Sequence, residues 1–138
     1  MNGSEGFLDT NVFVHSLTRD AFAAECRHFL RAVEDGRIRV RLEPAVLHEL
    51  SYVLPRYLRG LTRDQVAQHL LSLVELEGVV ADKDVLTDTV ERWQRTAGLA
   101  FVDAYLAALA ARDSLSVYTK NVRDLRAQGV VVPEPLPG

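Results

Sequence analysis

The sequence predicts an α/β protein with a mainly parallel central sheet of about four to five strands flanked by helices. Two observations carry this. Short apolar runs alternate with stretches of helical periodicity, the pattern of βα units. Strands separated in that way pair in parallel through right-handed crossovers, with helices on both faces. The 138 residues suit one domain able to bury its own core. That domain is expected over 1–138, with a core of about 7–132 and a proline-rich tail over 133–138.

The elements follow in order. Phe7–Val14 holds the first strand, an apolar run interrupted by Asp9, Thr10 and Asn11. Asp20 reads as an N-cap before Phe22, Cys26, Phe29, Leu30 and Val33, one face of a helix that Gly36 ends. Over 37–42, Arg37, Arg39 and Arg41 alternate with Ile38, Val40 and Leu42, a strand with one wet face. Pro44 suits the first turn of the next helix, whose apolar arc is Val46, Leu47, Leu50, Val53 and Leu54. Pro55 kinks or ends it. After Gly60, Thr62 to Gln65 is a capping-box pattern opening a helix through Val66, Leu70, Leu73 and Val74 toward Gly78.

Val79–Ala81 is a short strand or a buried turn. Asp82–Thr96 is helical, with Leu86, Val90, Trp93 and Ala97 on one stripe and Gly98 as its stop. Phe101–Ala111 is apolar nearly all round, which predicts a deeply buried helix. Leu115–Thr119 and Val130–Val132 are expected strands, with a loop or single helical turn at Asn121–Ala127 between them.

Apolar residues at 48% and charged residues at 25% are those of an ordinary globule. The one cysteine, Cys26, cannot form an internal disulfide, and no Cys/His zinc spacing exists. With no signal-peptide pattern and no membrane-length apolar run, a cytoplasmic location is expected. A net charge of −3 argues against a simple electrostatic nucleic-acid binder. It leaves room for a nucleic-acid enzyme, because a bound divalent metal inverts the sign of an acidic pocket.

Three carboxylates stand apart from the solvated helix faces. Asp9 lies amid an apolar run, where it is either a cap or turn residue or the partner of a cation. Glu49 falls at helical spacing between Val46 and Val53, inside the apolar stripe, unless it reaches water or an arginine at the stripe's edge. Asp103 opens the most apolar helix, where it serves the helix N-terminus, a site, or both. Each sits on its own element and can reach the carboxyl edge of the sheet, where α/β proteins bind ligands. Like charges sharing a pocket raise each other's pKa or admit a cation. Oxygen donors of this kind suit Mg²⁺, whose chemistry hydrolyses phosphodiesters.

The stretch Phe7-Leu8-Asp9-Thr10-Asn11-Val12-Phe13-Val14 resembles the opening strand of PIN-domain nucleases. Leu47 to Leu54 resembles their acidic helix, and Phe101 to Ala108 their third acidic segment. Tyr118 to Leu125 resembles the closing motif, with Leu125 in place of the usual aromatic. The ordered set of four covers roughly 7 to 132 and implies a three-layer PIN-like fold.

The resemblance implies that Asp9, Glu49 and Asp103 are catalytic metal-site carboxylates. Thr10 and Asn11 would support the first, and Thr119 would orient the site by hydrogen bonding. Many members place an Asp where this chain has Asn121, so the fourth acid is either lost there or supplied by Asp124. Size and compactness resemble VapC-type toxins of VapBC-type toxin–antitoxin modules. Those are Mg²⁺- or Mn²⁺-dependent endoribonucleases that commonly form homodimers and are held inactive by an antitoxin protein.

The rival readings are a free-standing RNA-processing nuclease and a non-catalytic partner-binding or regulatory module. An aspartyl-phosphate phosphatase would need a second Asp where Asn11 stands. Lys120 and Arg123, in the closing motif, are candidate RNA phosphate contacts. Arg37, Arg39 and Arg41, and likewise Arg56, Arg59 and Arg63, suit either phosphate or plain solvation. Tyr52 and Tyr57 suit helix packing or a partner groove, and the four histidines show no ligand spacing.

Overall fold

The computed structural model describes residues 5–138, so the first four residues of the expected domain lie outside it. The elements are β1 (Glu5–Phe7), α1 (Thr10–Ser16), α2 (Ala23–Glu34), β2 (Arg39–Arg41), α3 (Pro44–Tyr57), α4 (Arg63–Val74), β3 (Val79–Val80), α5 (Lys83–Arg95), α6 (Phe101–Asp113) and α7 (Val122–Arg126). The chain divides into two compact units, one ending at Lys83 and one of Asp84–Gly138.

In the first unit, β1, β2 and β3 form a parallel sheet in that order. Gly6 pairs with Val40, and Val40 with Val79, so β2 is bonded on both sides. Two helices fill each crossover, as parallel neighbours require a long connection. The α/β class and the parallel sheet are therefore as the alternation predicts. The core of this unit is the seam of α3 and α4: Leu47, Leu50, Leu54, Leu70 and Leu73 are wholly buried. Their i, i+3, i+7 spacing is the helical stripe itself. Thr62 caps α4 with the predicted box, accepting from the Gln65 N–H while the Gln65 side chain accepts from the Thr62 N–H. Pro55 is accommodated inside α3, which runs on to Tyr57.

Several boundaries differ. The strand expected in 7–14 is only Glu5–Phe7, and α1 takes over at Thr10. Thr10, Phe13 and Val14, at i, i+3 and i+4, are buried there along with Ser16, so the run had helical period. Short apolar runs do not separate the two states by periodicity alone. Asp20 acts ahead of α2 rather than as its N-cap: its Oδ1 accepts from the Phe22 N–H at 2.9 Å. His15 Nδ1 donates to Asp20 Oδ2 at 2.7 Å, as does Thr18 Oγ1 at 2.7 Å, closing the α1–α2 turn. The arginines of β2 meet Glu5 of the neighbouring strand, Arg39 at 3.9 Å and Arg41 at 3.7 Å.

In the second unit, Ala107 and Ala110 of α6 pack with Val117, Leu125 and Val132. The helix is not buried all round, since Val102 and Leu106 are 47% and 40% exposed. The strands expected at 115–119 and 130–132 do not form; one bond, from Val117 N–H to the Val131 carbonyl at 2.9 Å, joins those segments. Leu115, Ser116 and Tyr118 are exposed around Val117, so little side-chain burial supports a ladder there. Three strands are thus present among the described residues, in place of the four to five expected. Arg92 fastens α5 to the end of this unit, pairing with Asp88 at 3.0 Å and donating to the Gln128 carbonyl at 2.8 Å.

At Gly78 the backbone passes close to two other segments. Its N–H donates to the Val33 carbonyl at 2.8 Å, and its own carbonyl accepts from Val40 at 2.9 Å. A Cβ there would stand 2.1 Å from the Ile38 oxygen and 2.7 Å from the Val33 oxygen. Gly78→Ala is expected to lower stability by about 3 kcal/mol or more, read from the urea midpoint, because backbone must move. The Asp20 carboxyl is held below the usual carboxylate range, first by the Thr18 hydroxyl and then by His15. Its stabilising contribution is therefore complete above about pH 4 and fades as pH falls through its lowered value. The melting-temperature gap between the protein and Asp20→Asn should be widest near neutrality and close on acidification.

Candidate functional site

Asp9 is the N-cap residue of α1, in extended conformation, two residues beyond the end of β1. It is exposed, not buried within a strand as its apolar neighbours suggest. An N-cap Asp ordinarily spends its carboxylate on the first-turn N–H groups. Asp9 makes no such side-chain bond. Its carboxylate is held at the carboxyl end of β1 with its lone pairs unspent.

Glu49 belongs to α3, which starts just past the carboxyl end of β2. It is exposed at the margin of the buried seam formed by Leu47, Leu50 and Leu54, rather than inside it. Thr10, 3% exposed, donates its hydroxyl to Glu49 Oε1. Thr10 thus positions Glu49, not Asp9 as the resemblance implied. That bond brings the α3 carboxylate to the residue following Asp9. The link spans 39 positions, so no local pattern announces it. Asn11 is exposed, and no hydrogen bond reaches its side chain among the described residues.

In the second unit, Asp103 lies in the first turn of α6, whose N-cap is Ala100. Its Oδ2 accepts from Asn121 Nδ2 at 2.9 Å. The Asn121 backbone N–H in turn donates to Thr119 Oγ1 at 2.9 Å. Thr119 therefore sets Asn121, and Asn121 sets Asp103. This explains what a neutral residue does at position 121: an Asp there would offer no donor to Asp103. Asp124 is exposed in the first turn of α7 and stands outside this chain of bonds. Lys120 and Arg123 are exposed beside it.

None of Asp9, Glu49, Asp103 and Asp124 is ion-paired with a Lys, Arg or His among the described residues. Glu5, Asp20, Asp35, Asp88 and Asp113 all are. The unpaired acids offer hard oxygen donors, the chemistry that Mg²⁺ and Mn²⁺ take. Within neither unit do three or more His, Cys, Asp or Glu side chains of the described residues gather at metal-binding spacing. Each unit holds part of the expected donor set: Asp9 and Glu49 in the first, Asp103 and Asp124 in the second.

Parallel strands joined by helices, with unpaired acids past the strand ends, define an α/β protein of the kind that places its chemistry at the carboxyl edge of the sheet. The PIN domain family model matches residues 6–128, and the chain belongs to that family. PIN domains are generally nucleases that use divalent metal ions. No curated protein and no solved structure matches the chain. No helix among the described residues is long and apolar enough to cross a membrane.

Thr10→Val keeps the shape of a buried side chain and removes the bond to Glu49. It should cost about 1 kcal/mol in urea unfolding, with the slope unchanged. A midpoint equal to that of the parent would show that the bond contributes nothing.

Proposed function

We propose that this chain is a metal-dependent endoribonuclease, using Mg²⁺ or Mn²⁺, and the toxin half of a toxin–antitoxin pair. The observation that carries the reading is the family match over 6–128, which spans all four acidic positions. The neutral donors that Thr10 gives Glu49 and Asn121 gives Asp103, which fix a carboxylate without cancelling its charge, support it.

Asp9, Glu49, Asp103 and Asp124 would hold the metal. A bound Mg²⁺ or Mn²⁺ would polarise a phosphodiester and offset the charge that develops in its displacement. Thr10 fixes the direction of the Glu49 carboxylate. Asn121 does the same for Asp103 and leaves the fourth acidic role to Asp124. Lys120 and Arg123 attract the phosphate backbone to an otherwise acidic protein. Hydrolysis leaves a 5′-phosphate and a 3′-hydroxyl. In this reading the protein works in the cytoplasm as a homodimer and is restrained by an antitoxin protein.

The test is cleavage of a mixture of structured RNAs with Mg²⁺, with Mn²⁺ and with EDTA, beside Asp9→Asn. Wild type should cleave only with metal, and the variant should be slower by roughly 100-fold or more. Cleavage indifferent to EDTA or to the substitution would falsify the reading. So would the absence of both cleavage and metal binding, which would favour a partner-binding module.

A further inference from the structure

Helix α7 carries Asp124, and its N-cap Asn121 holds Asp103, yet the helix is five residues long. So short a helix does not stand by itself, because nucleation costs more than its few bonds return. Its direction is set by what grips it. Leu125 is wholly buried, in one cluster with Ala107 and Ala110 of α6. A single buried side chain fixes a point and leaves the helix free to swing about it. The bond from Asn121 to Asp103 fixes the near end. The far end is gripped from α5. Arg92 Nη1 donates to the Gln128 carbonyl at 2.8 Å, just past the C-cap Ala127. Gln128 Nε2 donates to Thr96 Oγ1 at 3.2 Å, so both ends of Gln128 are held.

Helix α5 does not itself require this. Asp88 and Arg92 stand four apart, a pair that supports a helix wherever it occurs. That pair uses Nε, which lies 3.0 Å from both Asp88 oxygens. It leaves the rest of the guanidinium unexplained. The Arg92 side chain is only 12% exposed, and its Nη1 reaches a carbonyl 36 positions along the chain. The planar fork of an arginine serves a carboxylate with one nitrogen and a carbonyl with another in fixed geometry, which the point charge of a lysine does not reproduce. A cation also suits the carbonyl end of a helix. Asp88 holds Arg92, Arg92 holds Gln128, and α7 lies between Gln128 and Asn121.

We propose that Arg92 is a positioning residue for the acids of the second unit. By gripping the far end of α7 it sets where Asn121 holds Asp103 and where Asp124 stands. The placement is a property of the metal-free protein. Its consequence, a donor set tuned for a divalent ion, rests on the metal-dependent reading.

Two measurements separate these. Hydrogen exchange on the metal-free protein reads the placement, and Mn²⁺ affinity by calorimetry reads the consequence. Arg92→Lys keeps the cation and its partner Asp88 but cannot span both acceptors. Its amides over 121–128 should exchange on the order of tenfold faster than those of wild type, with the amides of Ala107 and Ala110 unchanged. Its Mn²⁺ affinity should fall roughly tenfold. Asp88→Asn leaves the Nη1 bond in place and should change both far less. Thr96→Val releases only the Gln128 side chain; it is the milder variant and should shift exchange in the same direction. Circular dichroism confirms that each variant is folded. Exchange over 121–128 that stays at the wild-type rate in Arg92→Lys and Thr96→Val overturns the proposal. So does an equal loss in Asp88→Asn, which would make the α5 pair the cause. Mn²⁺ affinity that depends on Asp103 but is unaltered in Arg92→Lys also overturns it, since Arg92 would then be structural only. Faster exchange in a protein that binds no Mn²⁺, or binds it equally well as Asp103→Asn, keeps the placement and removes the metal-dependent reading.

Discussion

The central strand of the first unit is three residues long, and the arrangement of its acids depends on it. Arg39–Arg41 is bonded to β1 on one side and β3 on the other, all in parallel. Parallel pairing brings the carboxyl ends of β1 and β2 to one edge. Asp9 leaves β1 at that edge, and α3, with Glu49, leaves β2 there. Had the pairing been antiparallel, the two acids would have been delivered to opposite ends. So short a ladder contributes few bonds of its own, and it is kept in place by the helices that fill the crossovers. Gly78 shows how tight that fit is, since the chain passes Ile38 and Val33 at a distance no other residue permits.

Neutral hydrogen-bond donors distinguish Glu49 and Asp103 from the ion-paired acids. Several acids of this protein are neutralised nearby: Asp88 by Arg92, Asp113 by Arg112, Glu5 by the arginines of β2. Glu49 and Asp103 are instead steadied by neutral groups. A threonine hydroxyl or an asparagine amide can fix the direction of a carboxylate without cancelling its charge. A cation placed there would do both. Keeping the charge while restricting the rotamer is what a metal ligand needs. It is also why Asn121 is compatible with such a site, although it adds no charge to it.

Much of this was legible in the sequence where it depends on near neighbours. The period of Leu47, Leu50 and Leu54 identifies α3, and the Thr62–Gln65 box identifies the start of α4, because both patterns close within two turns. The ordered acids pointed to the family that the match over 6–128 establishes. The reading failed where period and length were ambiguous. Over 7–14 a strand and a helix share one apolar run, and the division falls just before Thr10. At 115–119 and 130–132 β-branched residues suggested strands, but a ladder needs a partner along its whole length, and here a single bond is made.

The sequence by itself determined the α/β class, the parallel sheet and the helix seams, because each follows from periodicity, and it singled out the acids as candidates by residue type and placement. Only the tertiary structure decided what those acids touch. The Thr10 bond to Glu49 and the Asn121 bond to Asp103 join residues 39 and 18 positions apart. Their geometry is set by how one helix packs on another element, which no local pattern encodes. Only the structure, too, shows that Asp9 makes no cap bond although it stands at the N-cap of α1.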